Sequence, residues 1–192
     1  MPTSPPRAIT AENALRSKIS EYVIPRIRRS LRVGFASLAA FNQMNGLTAL
    51  SFDVGEHAQL IESFTPDIAY FMETLSSGNG PNRAPGDVKP SWKWSTALAA
   101  HPRLSMRTEY RQALSQVNYY MEQHGSRYGF LLTDRELVVF RRVDDDGNLE
   151  LAPAIPWVRG GTDEEPQLTV LLALWYLGML AAQDGGPDAW HM

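Results

Sequence analysis

Two short stretches, TPDIAY at residues 65–70 and GDVKPSWKW at residues 86–94, decide how this chain is read. The first, extended to DIAYFME, suits a buried strand. The second opens as a strand that Pro90 cuts short, because proline cannot donate to a ladder. Side chains two apart on a strand project to one face. Asp87 and Lys89 therefore point together, while Val88 turns into the opposite layer. If the two strands are neighbours, Asp67 joins them, and the loop between is long enough to allow it. The chain has only three lysines, Lys18, Lys89 and Lys93, among many arginines. A lysine at 89 hints at chemistry that wants a compact ammonium.

Working outward, residues 10–35 read as helical, with Leu15, Ile19, Tyr22, Val23 and Ile27 at helical spacing. Pro25 is expected to kink or divide this helix. FASLAAFNQMNG, residues 35–46, is expected to be another short helix closed by Gly46. Residues 49–64 are ambiguous, a strand followed by a turn. Ser76 to Gly86 is a Gly/Pro/Asn loop. Residues 105–124 form a helix stopped by Gly125. Three strands follow, YGFLLTD, ELVVFRRV and LELAPAIPW, the second pair joined by the hairpin signal DDDGN. DDDGN lacks the twelfth-position Glu of a calcium loop and reads as a turn. A last helix spans about 166–183. The sum is an α/β arrangement, a small mixed sheet with helices packed on it.

Composition sets bounds. With 192 residues, 44% hydrophobic and 20% charged, the chain reads as one globular domain over 1–192, with 1–9 a disordered arm. With a net charge of -3 the chain is not a polycation, so any nucleic-acid contact needs a local basic patch. The absence of cysteine excludes disulfides, thiolate metal sites and cysteine nucleophiles. MPTSPPRAIT has no apolar core of a signal peptide, and an intracellular, cytoplasmic or nuclear, setting is the easier expectation. The apolar run Leu168–Ala182 falls short of the ~20 residues that cross a bilayer, so no membrane partner is expected. His57, His101, His124 and His191 show no metal-ligand spacing.

Cleaving a phosphodiester needs a positioned divalent cation, a nucleophilic water and a positive charge for the oxyanion. Mg²⁺ or Mn²⁺ takes oxygen ligands, usually one or two carboxylates completed by water. Asp67 and Asp87 can supply those carboxylates, the Val88 carbonyl a further oxygen, and Lys89 the charge.

Pro66-Asp67 followed by Asp87-Val88-Lys89 resembles the PD-(D/E)XK nucleases. GDVK is similar to the strand signature of the exonuclease-like branch, whose following helix carries Q-x-x-x-Y; Gln116 and Tyr120 have that spacing. The wider string GDVKPSWKW … QVNYYM … RYGFLLTDRELVVFRR resembles a fungal nuclease-like group of the same superfamily, over residues 15–180. The resemblance implies a restriction-endonuclease-like fold, a sheet flanked by helices with the active site at one sheet end. It implies a divalent metal on Asp67 and Asp87, a catalytic Lys89, Gln116 positioning substrate or water, and Tyr120 packing or contacting the backbone phosphate. It also implies an acid from the first helix. Glu21 fits that place best, with Glu12, Glu56 and Glu62 as alternatives.

Nucleic acid, with DNA as the expected substrate, is the implied partner, and a homodimer is left open. Trp92 with Trp94 could stack bases around Lys93, or pack in the core. Arg28 and Arg29, within the cluster Arg26, Arg28, Arg29 and Arg32, could grip phosphates or form a solvated helix face. The alternative function is a nucleic-acid-binding or protein-interaction module on the same fold that has lost hydrolysis.

Overall fold

The computed structural model describes residues 9–75 and 78–192. The arm expected at 1–9 therefore lies, up to residue 8, outside the described residues, as do Ser76 and Ser77 of the expected loop.

The N-terminal helical stretch comprises α1 (Glu12–Lys18), a π-helical turn (Ile19–Val23) and α2 (Ile24–Ala40). Pro25 stands in the first turn of α2. It has no N–H to bond the preceding turn, and its ring would meet a carbonyl there; widening to π spacing makes room. The expected division occurs without a break in the helical run. Residues 35–40 are not a separate helix but the end of α2, because Leu31 and Phe35 on either side of Gly34 are buried and hold the helix to the core. The C-cap is Phe41, followed by Asn42 in the left-handed region at φ 54°, and the helix is not closed by Gly46.

Seven strands form one sheet: β1 (Ser51–Val54), β2 (Ile68–Phe71), β3 (Gly86–Val88), β4 (Tyr128–Leu132), β5 (Glu136–Arg142), β6 (Leu149–Leu151) and β7 (Ile155–Pro156). Their order is β1-β2-β3-β4-β5-β6, with β7 also on β5. Every pairing is antiparallel except β3–β4, which is parallel and is connected through α3 (Leu104–His124). Gly125 stops α3 at φ 62°, as expected. The ambiguous region resolves into β1 followed by a short 3₁₀ turn (Gly55–His57), so three strands precede α3. LELAPAIPW divides into β6 and β7, since Pro153 between them cannot donate to the ladder.

Alternation along the strands builds two cores. Val88, Phe130, Leu132, Ile68 and Tyr70 face α2 and the last helix, α4 (Val170–Ala181). Leu131, Val138 and Phe140 face Ala113, Val117 and Met121 of α3 on the other side. The protein is thus a mixed α/β fold with helices on both faces of an open, mostly antiparallel sheet. α4 is capped by Thr169, whose hydroxyl accepts from Leu172 N–H, and buries Leu174 and Leu177. No helix among the described residues is long and apolar enough to cross a membrane.

Two glycines permit close approaches beside the acidic segments. A Cβ at Gly86 would lie 2.1 Å from the Phe130 ring, and one at Gly55 would lie 1.8 Å from the Pro66 carbonyl oxygen.

Candidate active site

β2 and β3 are neighbours, with Ile68 opposite Gly86. Carrying that register one step outward sets Asp67 opposite Asp87, at the sheet end where β2 begins and β3 stops. Residues directly opposite in antiparallel strands have Cβ atoms roughly 5 Å apart. The two carboxyls come within hydrogen-bonding reach of each other. Asp67 Oδ2 also accepts from Val88 N–H at 2.9 Å, and Gly55 N–H donates to the Asp67 carbonyl at 3.1 Å, fixing that backbone.

Two carboxylates this close cannot both ionise cheaply. Burial, and then the neighbouring Asp87, push the Asp67 carboxyl up from 3.8 to about 7. Arg16 of α1 opposes this from 3.1 Å. Near neutral pH the Asp67 carboxyl therefore holds its proton about half of the time.

Lys89 leans back over Asp87, Nζ 2.7 Å from Oδ2. The contact is an ion pair and not an aligned hydrogen bond, and it is the charge that compensates this buried carboxylate oxygen. The same ammonium donates to Gln116 Oε1 at 3.1 Å, and Gln116 Nε2 donates to the Tyr120 hydroxyl at 2.8 Å. Gln116 and Tyr120 lie four apart on α3, one above the other on its sheet-facing edge. Burial raises the Tyr120 phenol above its ordinary pKa, and both aspartates add to that. Its hydroxyl keeps its proton and can donate.

Asp67, Asp87, Lys89, Gln116 and Tyr120 are thus brought together from three distant segments. Val88 joins them through its amide, while its side chain packs in the opposite layer, as the alternation requires.

The first-helix acid is placed differently. Glu21 is exposed on the π turn, and no hydrogen bond or ion pair joins it to either aspartate among the described residues. Arg16 of α1 and Ser20 of the π turn face Asp67, lining a hollow of about 280 Å³ with Glu56 and Val88. Glu21 lies about 100° further round the helix. Glu12, four residues before Arg16, accepts from Lys93 Nζ at 2.7 Å and lines a second hollow with Lys89 and Gln116. Lys93 holds the Glu12 carboxyl below its ordinary value. Glu12 and Glu56 are therefore the acids bordering the site. The helical phase shared with Arg16 was the signal for Glu12; the tight turn after β1 that delivers Glu56 has no signature in sequence. Glu62, the other alternative, accepts from the Tyr119 hydroxyl on the outward face of α3.

The proposed nucleic-acid contacts divide. Lys93 borders the site. Trp94 is buried, stacked on Tyr110 with its indole N–H on the Tyr110 carbonyl, and is a core residue. Trp92 is half exposed beyond it. Arg28 is tied to Asp53 and the Phe52 carbonyl along the α2–β1 seam. Arg29 and Arg26 line a groove between α2 and α4 whose lining shares no residue with the site hollows.

As a cation site, the arrangement offers two facing carboxyls, Asp67 on the wall of the first hollow and Asp87 buried with Lys89 on its Oδ2. Hard cations such as Mg²⁺ use few carboxylates and keep several waters, and the residues present fit that demand. No group of three or more His, Asp or Glu side chains forms a closed cage among the described residues. No family model matches the chain, and no curated protein sequence matches it.

Proposed function

We propose that this chain is a Mg²⁺- or Mn²⁺-dependent nuclease of restriction-endonuclease-like, PD-(D/E)XK fold, hydrolysing phosphodiester bonds in nucleic acid, with DNA the expected substrate. The observation that carries the reading is the juxtaposition of Asp67 and Asp87 across β2 and β3 with Lys89 against Asp87. A mixed sheet flanked by helices, with its acid pair at one end, agrees with it.

Asp67, Asp87 and the Val88 carbonyl would hold the cation, which when bound supplies Lewis-acid polarisation of phosphate and a more acidic water. Lys89, held by Gln116, donates from Nζ to a phosphate oxygen or to the attacking water. Its charge then stands where negative charge grows in the transition state, and removing one such donor typically costs on the order of 3–4 kcal/mol of barrier. Tyr120 fixes the Gln116 amide and keeps a hydroxyl proton for a substrate oxygen.

A second reading, a binding or interaction module that no longer hydrolyses, is favoured by Arg16, whose guanidinium already stands on Asp67. One experiment separates the two. Linear and circular DNA are incubated with the protein in Mg²⁺, Mn²⁺ or chelator, beside Asp87→Asn and Lys89→Met variants checked for folding by circular dichroism. Metal-dependent cutting that both variants lose supports the nuclease. Binding without cutting in either metal, unchanged in Asp87→Asn, supports the module and ends the nuclease reading.

A further inference from the structure

Beside the site, α3 turns a second face outward. Thr108, Gln112, Ser115 and Tyr119 recur at helical spacing and, with Arg111 and Phe64, line a hollow of about 540 Å³. The hollow is continuous with the site, because Gln116 and Tyr120 form part of its wall. Phe64 and Tyr119 meet edge to face, ring centroids 5.6 Å apart at 86°. Both rings are exposed, Phe64 by 51% and Tyr119 by 39%.

The turn that presents Phe64 is strained. Glu62 and Ser63, neither a glycine, have φ of 52° and 63°, a region that L side chains avoid. The turn is held by a bridge between Ile61 and Phe64, by the Tyr119 hydroxyl on the Glu62 carboxylate, and by Gln123 on the Ile61 carbonyl. Strain that keeps an aromatic ring in water does nothing for the core.

We infer that the Phe64–Tyr119 shelf is a subsite for an unpaired nucleobase next to the scissile phosphate, so that this site prefers single-stranded or frayed nucleic acid. The inference rests on the proposed nuclease reading and names its substrate class. A base has a flat apolar face for Phe64 to stack on and edge groups for Gln112 and Ser115. Arg111 on the rim carries the charge that the adjoining phosphate needs. A base held in a duplex stays stacked on its neighbours and cannot offer its face to Phe64.

The test is fluorescence anisotropy with the full chain in chelator, so that binding is read without cleavage. The probes are a labelled ten-nucleotide thymidine strand and a blunt duplex of equal length. Loss of one stacked base corresponds to about tenfold in Kd, or 1.4 kcal/mol. Phe64→Ala is expected to weaken single-strand binding by that factor and leave the duplex unchanged, while Phe64→Trp restores it. Arg111→Ala weakens both probes and steepens neither preference. Wild-type affinity in Phe64→Ala, or an equal loss on both probes, overturns the subsite. Single-strand discrimination lost in Phe64→Ala, in a protein that never cuts, overturns only the nuclease reading. Cutting that is indifferent to Phe64→Ala and to strandedness overturns only the subsite. Binding of neither probe overturns both.

Discussion

Asp67→Asn is expected to stabilise the metal-free protein. The Asp67 carboxyl rises from 3.8 in the open chain to about 7 in the fold, through burial and the facing Asp87. Below pH 3.8 both folded and unfolded chains carry the proton, and the fold bears no penalty. Between 3.8 and 7 the unfolded chain ionises while the folded one holds its proton, so stability falls as pH rises. Above 7 the loss is complete, roughly 4 kcal/mol at 1.36 kcal/mol per unit. Asparagine imitates the protonated acid: its oxygen accepts from Val88 N–H and its amide donates toward Asp87. It forfeits the ion pair with Arg16, whose side chain is 44% exposed, at a cost of at most about 1 kcal/mol. A net gain of roughly 3–4 kcal/mol remains at pH 8. For a chain of this size that is a Tm increase on the order of 6–15 °C. Differential scanning calorimetry in chelator at pH 8 and pH 4 measures it, and the gain should vanish at pH 4. Millimolar Mg²⁺ should raise the wild-type Tm and leave Asp67→Asn nearly unmoved. A variant that melts below wild type at pH 8, or whose advantage persists at pH 4, refutes the account of a repelling acid pair.

Lys89→Met should lower kcat by about 10²–10³ under saturating metal, the usual cost of one electrostatic donor, while Gln116→Ala, which only orients that ammonium, should lose about tenfold; a single-turnover cleavage assay compares them. Gly55→Ala should displace Pro66 and with it Asp67, because the added Cβ meets the Pro66 carbonyl oxygen at 1.8 Å; isothermal titration should show weaker Mg²⁺ binding, and unchanged binding would mean that this turn does not position the acid. Burial lowers His124 from 6.5 to about 4, so the unfolded chain takes up a proton that the fold refuses; stability is lost as pH falls from 6.5 to 4, by roughly 3 kcal/mol. In His124→Gln, urea titrations across that range should lose this acid limb, and a limb that survives would assign it to another group.

Much of the fold was legible in local pattern. The α3 helix, its glycine stop, the buried β2 and the hairpin at DDDGN follow from periodicity and turn chemistry, which act over a few residues. The misreadings came where a distant contact outweighed local preference. α2 runs through Gly34 because Leu31 and Phe35 dock on the sheet. Asn42 takes the left-handed position after the last turn because the docked helix ends there and asparagine tolerates that conformation. LELAPAIPW is the exception: it breaks at Pro153 by a local rule, the missing N–H, and both halves still pair with β5.

The candidate site divides along the same line. Short-range rules alone set the same-face projection of Asp87 and Lys89 and the four-residue step from Gln116 to Tyr120, since strand and helix geometry leave no other arrangement. Tertiary contact was needed for the rest. The register that faces Asp67 with Asp87, the helical phase that brings Arg16 and Glu12 to the site and leaves Glu21 in water, and the withdrawal of Trp94 into the core all depend on which surfaces meet. Those meetings are chosen by burial of apolar area summed over the whole chain, a quantity that no single stretch of sequence contains.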